Sequence, residues 1–227
     1  MVGRHGAERT ESPINAPRRT INRNPNVPLT GSQISTLISG IDVLEDLTLI
    51  RLGLDTGLRV SEVAIGESKE EGKRKTKTPG ILINNIDQEL GVIKIWDEKK
   101  NRFRDVMPSR DTMATIRMYL NERRKEDARL FPFSVKTAER KIQLWTKKLL
   151  GFVRSWHSLR TTYITRCAEL GQSLKIVQEN TGDSIRTLLT YYTKLSPDTR
   201  RKMTQALPVI PQEDISGTMV EKEDGSP

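Results

Sequence analysis

From position 29 the apolar residues fall at helical spacing. Ile34, Leu37 and Ile38 follow Thr30 or Ser32, either of which suits a helix N-cap. A second helical run covers about 42 to 55 and stops at Gly57. A third begins near Arg59 or Ser61 and ends by Gly66. The stretch SKEEGKRKTKTPG, 68 to 80, has no apolar period and reads as a charged loop. The period then changes. Ile81 with Ile83, then Val92, Ile93 and Ile95, then Phe103 with Val106 predict short strands, separated by the turn-like stretches DQELG and DEKKN. From Asp111 to Leu207 the helical spacing returns, with breaks near Phe131-Pro132, Gly151, Gly171, Gly182 and Pro197. Within it Leu149, Leu150, Phe152 and Val153 are expected in the core.

This pattern predicts an α+β domain, mainly α-helical, with a small antiparallel sheet, over residues 29–207. Residues 1–28 are rich in Pro, Asn, Arg and Gly without a period, and read as a disordered basic arm. Residues 208–227 read as a flexible tail, although Met203, Leu207, Val209 and Ile210 suit packing on the domain itself or on a neighbouring protomer.

Charge narrows the function classes. The net charge of +9 favours a polyanionic partner, with nucleic acid ahead of an acidic membrane. Lys73-Arg74-Lys75 and Arg123-Arg124-Lys125 are candidate phosphate contacts or solvated faces. Cys167 is the single cysteine, so no internal disulfide forms. The chain has no apolar run of about 18 residues and no hydrophobic signal core at its N-terminus. A cytoplasmic, DNA-associated protein without a membrane span is expected.

Four stretches carry candidate chemistry. In TGLRVSEV, Arg59 sits among Leu58, Val60, Val63 and Ile65. An arginine there must reach water or meet a buried anion. A turn holds Lys99 and Lys100, and HSLR sets His157 and Arg160 three apart, on one helix face. Tyr191 and Tyr192 lie near a helix end. Two guanidiniums, a lysine and an imidazole suit the non-bridging oxygens of a phosphate. A tyrosine hydroxyl is a candidate nucleophile once a base or positive charge activates it. The guanidiniums would stabilise a five-coordinate phosphorus, and the lysine would protonate a leaving 5′ oxygen. This chemistry requires no metal or other cofactor.

In that order, TGLRVSEV, the lysine turn, HSLRTTYITRCAELG and TGDSIRTLLTYYTKL resemble the catalytic domain of the tyrosine recombinases, the phage-integrase family. The resemblance covers roughly residues 30 to 205. It implies that Arg59 and Arg160 are the two catalytic arginines and His157 the histidine of the second box. It assigns the hairpin lysine to Lys100, with Lys99 as substitute, and the nucleophile to Tyr192 rather than Tyr191. Asp183 stands where the family usually has His or Trp. An ionised carboxylate repels phosphate, so either Asp183 points away and orients Arg59 or Arg160, or a neighbour such as Lys194 supplies the donor, or the activity is weakened. The resemblance implies integration or excision of a mobile element through a 3′-phosphotyrosine, on double-stranded DNA, within a homo-oligomeric synaptic tetramer. Two other readings stay open: a non-catalytic DNA-binding relative, and a type IB topoisomerase-like relaxing enzyme.

Overall fold

Thr30 opens the first helix, α1 (Gly31–Gly40), with a reciprocal cap. Its Oγ1 accepts from the Gln33 N–H at 3.3 Å, and the Thr30 N–H donates to Gln33 Oε1 at 3.0 Å. The computed structural model describes residues 26–70, 73–97, 101–123, 127–195 and 197–205, and describes side chains outside 67–77. Helix α2 (Leu44–Thr56) follows and ends at Gly57, which takes a left-handed conformation at φ 63°. Helix α3 is a single turn, Val60–Val63.

The charged stretch after it is not a loop. It forms two antiparallel strands, β1 (Gly66–Glu70) and β2 (Lys73–Thr78). Backbone pairing alone defines this ladder, so apolar alternation gave no sign of it. Ile81 and Ile83 also differ from expectation. The chain leaves the Pro79-Gly80 turn and pairs at Leu82 with Arg129, then makes a 3-10 turn at Ile83–Asn85. The three-stranded antiparallel sheet is instead β3 (Ile86–Asp87), β4 (Val92–Asp97) and β5 (Arg102–Val106), in that order.

Six helices complete the described chain: α4 (Arg110–Glu122), α5 (Val135–Leu150), α6 (Trp156–Glu169), α7 (Leu174–Thr181), α8 (Ile185–Tyr192) and α9 (Pro197–Gln205). Helix α2 runs through the centre, packed on α4 and α6, and α1 lies on α5. The main core joins Leu37, Leu49, Leu52, Leu58, Ile116 and Ile142 to Phe131 and Trp156. Burying such side chains yields roughly 1.5–3 kcal/mol each. Leu149, Leu150 and Phe152 pack partly against this core, whereas Val153, expected inside, is exposed.

One carboxylate of α2 sits deep in this packing. Asp46 is buried, accepts from Trp145 Nε1 at 2.7 Å, and pairs with Lys141, which also reaches Glu45 at 2.9 Å. Burial alone would lower the Lys141 ammonium. The Asp46 and Glu45 carboxylates more than reverse this and hold it above its ordinary value. A smaller second cluster (Tyr163, Ile164, Cys167, Val177 and Leu188) joins α6, α7 and α8. None of the described helices is long and apolar enough to cross a membrane. The expected arm lies outside the described residues up to position 25, and the expected tail lies wholly outside them.

Candidate active site

The two arginines meet at one carboxylate. Arg59 precedes α3 as its N-cap, in extended backbone. Its Nη2 donates to Asp183 Oδ1 at 2.8 Å, across 124 residues of sequence. Arg160, on α6, reaches Asp183 Oδ2 at 2.6 Å through its own Nη2. Asp183 therefore bridges them, one oxygen to each guanidinium. This answers the question raised by an arginine among apolar neighbours: Arg59 meets anions, Asp183 and also Glu62.

Backbone carbonyls hold Arg160 in place. Its Nη1 donates to Gly57 O, and its Nη2 to Thr181 O at 3.0 Å. Burial pushes this guanidinium below its ordinary value, and Asp183 opposes that shift. An arginine still keeps its proton near neutral pH. Gly57 is required here for two reasons. Its φ is positive, and a Cβ would lie 2.5 Å from Tyr163 Cδ1. The same turn is pinned to α6 by Trp156, whose Nε1 donates to Leu58 O at 2.7 Å.

Two further residues of this network were missed in the sequence. Glu62 accepts from the Arg59 N–H at 2.7 Å and pairs with its guanidinium at 3.3 Å. Arg104, on β5, lies 3.0 Å from Glu62 Oε1 as an ion pair rather than an aligned hydrogen bond. Its Nε also donates to Glu179 O at 3.1 Å, near the end of α7. A Cβ on Gly182 would lie 3.2 Å from Arg104 Cζ, so glycine lets this arginine pass beneath the turn that carries Asp183. Signals for both were present. Glu62 follows Arg59 by three, the spacing of a capping glutamate. Strand alternation puts Arg104 on the buried face of Val106.

Helix α8 carries the tyrosines. Tyr191 is partly buried against the second cluster. The Tyr192 hydroxyl donates to Gln172 O at 2.7 Å, in the α6–α7 connection. Among the described residues no hydrogen bond joins Tyr192 to Arg59, Arg160 or His157. Burial raises the Tyr192 phenol above its ordinary value, with Cys167 adding to it. At neutral pH the oxygen thus carries its proton and needs a base to attack. His157 lies exposed in the first turn of α6. Lys99 and Lys100 lie outside the described residues, in the connection between β4 and β5. Arg124 and Lys125 do too, and the Arg123 guanidinium is turned inward, donating to Arg129 O at 2.6 Å and Asp127 O at 3.1 Å.

The chain has the fold of a tyrosine recombinase catalytic domain. Among solved structures it is similar to the XerA recombinase, with a TM-score of 0.64 and 22% identity over 80% of this chain and 65% of that one. It is also similar to the Tn1549 transposon integrase in complex with transposon right end DNA, with a TM-score of 0.62 and 19% identity over 81% of this chain and 66% of that one. Among curated proteins it is 27% identical to the tyrosine recombinase XerA of Saccharolobus solfataricus over 176 residues, 77% of this chain and 55% of that protein. It is 26% identical to the XerA of Pyrococcus furiosus over 191 residues, 77% of this chain and 61% of that protein. The chain thus spans little more than half the length of these curated relatives. No family model matches it.

Proposed function

We propose that this chain cuts and rejoins double-stranded DNA as a site-specific tyrosine recombinase, in the integration or excision of a mobile element. The observation that carries this is the convergence of Arg59 and Arg160 on one anion, with Tyr192 on the adjoining helix. The similarity to XerA recombinases and to an integrase bound to DNA supports it. In this reading the two guanidiniums hold the non-bridging oxygens of the scissile phosphate. The Tyr192 oxygen attacks phosphorus and gives its proton to a base. A Tyr–phosphorus bond forms at the 3′ side, and the bond from phosphorus to the 5′ oxygen breaks. Lys100, or Lys99, protonates that leaving oxygen, and His157 donates to the phosphate. No metal or other cofactor takes part. Residues 29–207 form the catalytic domain, flanked by a basic arm and a tail, and the chain acts as a homo-oligomer on DNA.

Covalent trapping tests this. Nicked, labelled duplexes from the ends of the protein's own element are mixed with the chain and run on a denaturing gel. A shifted band that survives Tyr191→Phe and disappears in Tyr192→Phe supports the reading. Loss in Tyr191→Phe alone would move the nucleophile by one residue. Salt-sensitive DNA binding without any band would favour a non-catalytic relative. Relaxation of any supercoiled plasmid, without a cognate site, would favour a topoisomerase-like enzyme.

A further inference from the structure

Two guanidiniums that offer one N–H each to the two oxygens of a single acid group form a seat for a small tetrahedral or planar oxyanion. Carboxylate and phosphate present similar paired oxygens to such donors. In this chain the seat is filled from within. Asp183 places Oδ1 2.8 Å from Arg59 Nη2 and Oδ2 2.6 Å from Arg160 Nη2. The other Arg160 donors that the structure pairs face Gly57 O and Thr181 O, which are backbone atoms and part of the frame. Arg59 is likewise held from behind by Glu62. Among the described residues, the partner common to both arginines is thus the Asp183 side chain. Its backbone N–H is fixed separately, by Thr181 Oγ1 at 3.2 Å.

We infer that Asp183 is a resident stand-in for the scissile phosphate, so that DNA must displace its carboxylate to reach Arg59 and Arg160. The inference rests on the recombinase reading. Its physical content is a competition. In the free chain Asp183 neutralises one of two positive charges and keeps the buried Arg160 paired, which stabilises the fold. When a phosphodiester arrives, the same carboxylate becomes a like charge beside it. Stability and phosphate binding therefore pull in opposite directions at this residue. A residue that merely supported the fold would shift both the same way.

The test uses that opposition. Tyr192→Phe removes the proposed nucleophile, so binding is read without cleavage. Its affinity for a nicked duplex is compared with that of Tyr192→Phe/Asp183→Asn and Tyr192→Phe/Asp183→Ser across a salt series, alongside thermal melting of each. The expected result is a lower melting temperature with about tenfold tighter binding in both double variants. Their salt dependence should also steepen by about one phosphate contact. In the Tyr192 background, Asp183→Asn should give more covalent adduct. Asn keeps the shape of Asp, and Ser leaves the seat open, so a folding defect in one is checked by the other. Binding unchanged or weakened in both variants, with salt-sensitive binding intact in Tyr192→Phe, would overturn the inference and leave the recombinase reading standing. No salt-sensitive DNA binding in any variant, and no adduct from the Tyr192 forms, would overturn both.

Discussion

The two halves of the site are built differently. On the arginine side, Arg160 is buried, is held by two backbone carbonyls and shares Asp183 with Arg59. On the tyrosine side, Tyr192 lies half-buried at the last turn of α8, with one hydrogen bond from its hydroxyl to Gln172 O. Leu188 is the buried residue of that helix. In the proposed reading the arginine side would stabilise charge, and its frame around Arg160 is fixed without substrate. The proposed nucleophile, Tyr192, is held by one hydrogen bond from its hydroxyl, on a helix whose buried residue is Leu188, where local motion costs less. Stability losses should therefore be largest at the buried Arg160 and at the Gly57 turn that holds it, and small at the partly exposed Arg59 and at Tyr192.

The largest loss is expected for Arg160→Ala. It leaves two buried carbonyls and one arm of Asp183 without their donor, and should destabilise by about 3 kcal/mol or more. Urea unfolding measures this, and covalent adduct should fall about a thousandfold or more in the same protein. Gly57→Ala comes next. The added methyl meets Tyr163 in a left-handed backbone, and the carbonyl that holds Arg160 moves with it. A loss of about 2 kcal/mol in melting stability is expected, together with a drop in adduct. Retention of both would mean that the turn does not govern Arg160.

Arg59→Ala should separate stability from function. Its side chain is about one-third exposed, so unfolding should shift by less than about 1 kcal/mol. Adduct should still fall by about a hundredfold or more, because a donor to the phosphate is lost. The smallest stability effect is expected for Tyr192→Phe, within about 1 kcal/mol, since it removes one partly exposed hydrogen bond. The wild-type minus Tyr192→Phe difference absorbance should titrate above pH 10, because burial raises that phenol. The sign for stability follows. Above pH 10 the unfolded chain gives up this proton before the folded one does, so the Tyr192 contribution falls as pH rises. A difference titration centred below 10 would place the hydroxyl in a positive field, beside the arginines.

Much of this was legible in the chain. The Thr30 cap, the stop at Gly57, the strands ending at Asp97 and Val106, and the turns at Gly151 and Gly182 follow from local residue chemistry. The ordered boxes marked Arg59 and Arg160 as partners before any contact was visible. The β1–β2 pair was not legible, because its ladder needs no apolar face. Ile81 and Ile83 look like strand residues, but their backbone partners are Val63, Ala128 and Leu130, a pairing no local window can see. Glu62 and Arg104 carried weak signals, and those gain meaning only when β5 lies against α7.

What the sequence by itself determined is the set of chemical groups, their order, and the helix and strand periods that carry them. These depend on neighbours within a few residues, so they can be read along the chain. What only the tertiary structure decided is which charge meets which. That Asp183 lies between Arg59 and Arg160, and that the Tyr192 hydroxyl turns to Gln172 O, depends on how α3, α6, α7 and α8 pack. Ion pairs and hydrogen bonds act over a few ångströms in space, and packing, not sequence distance, sets those separations.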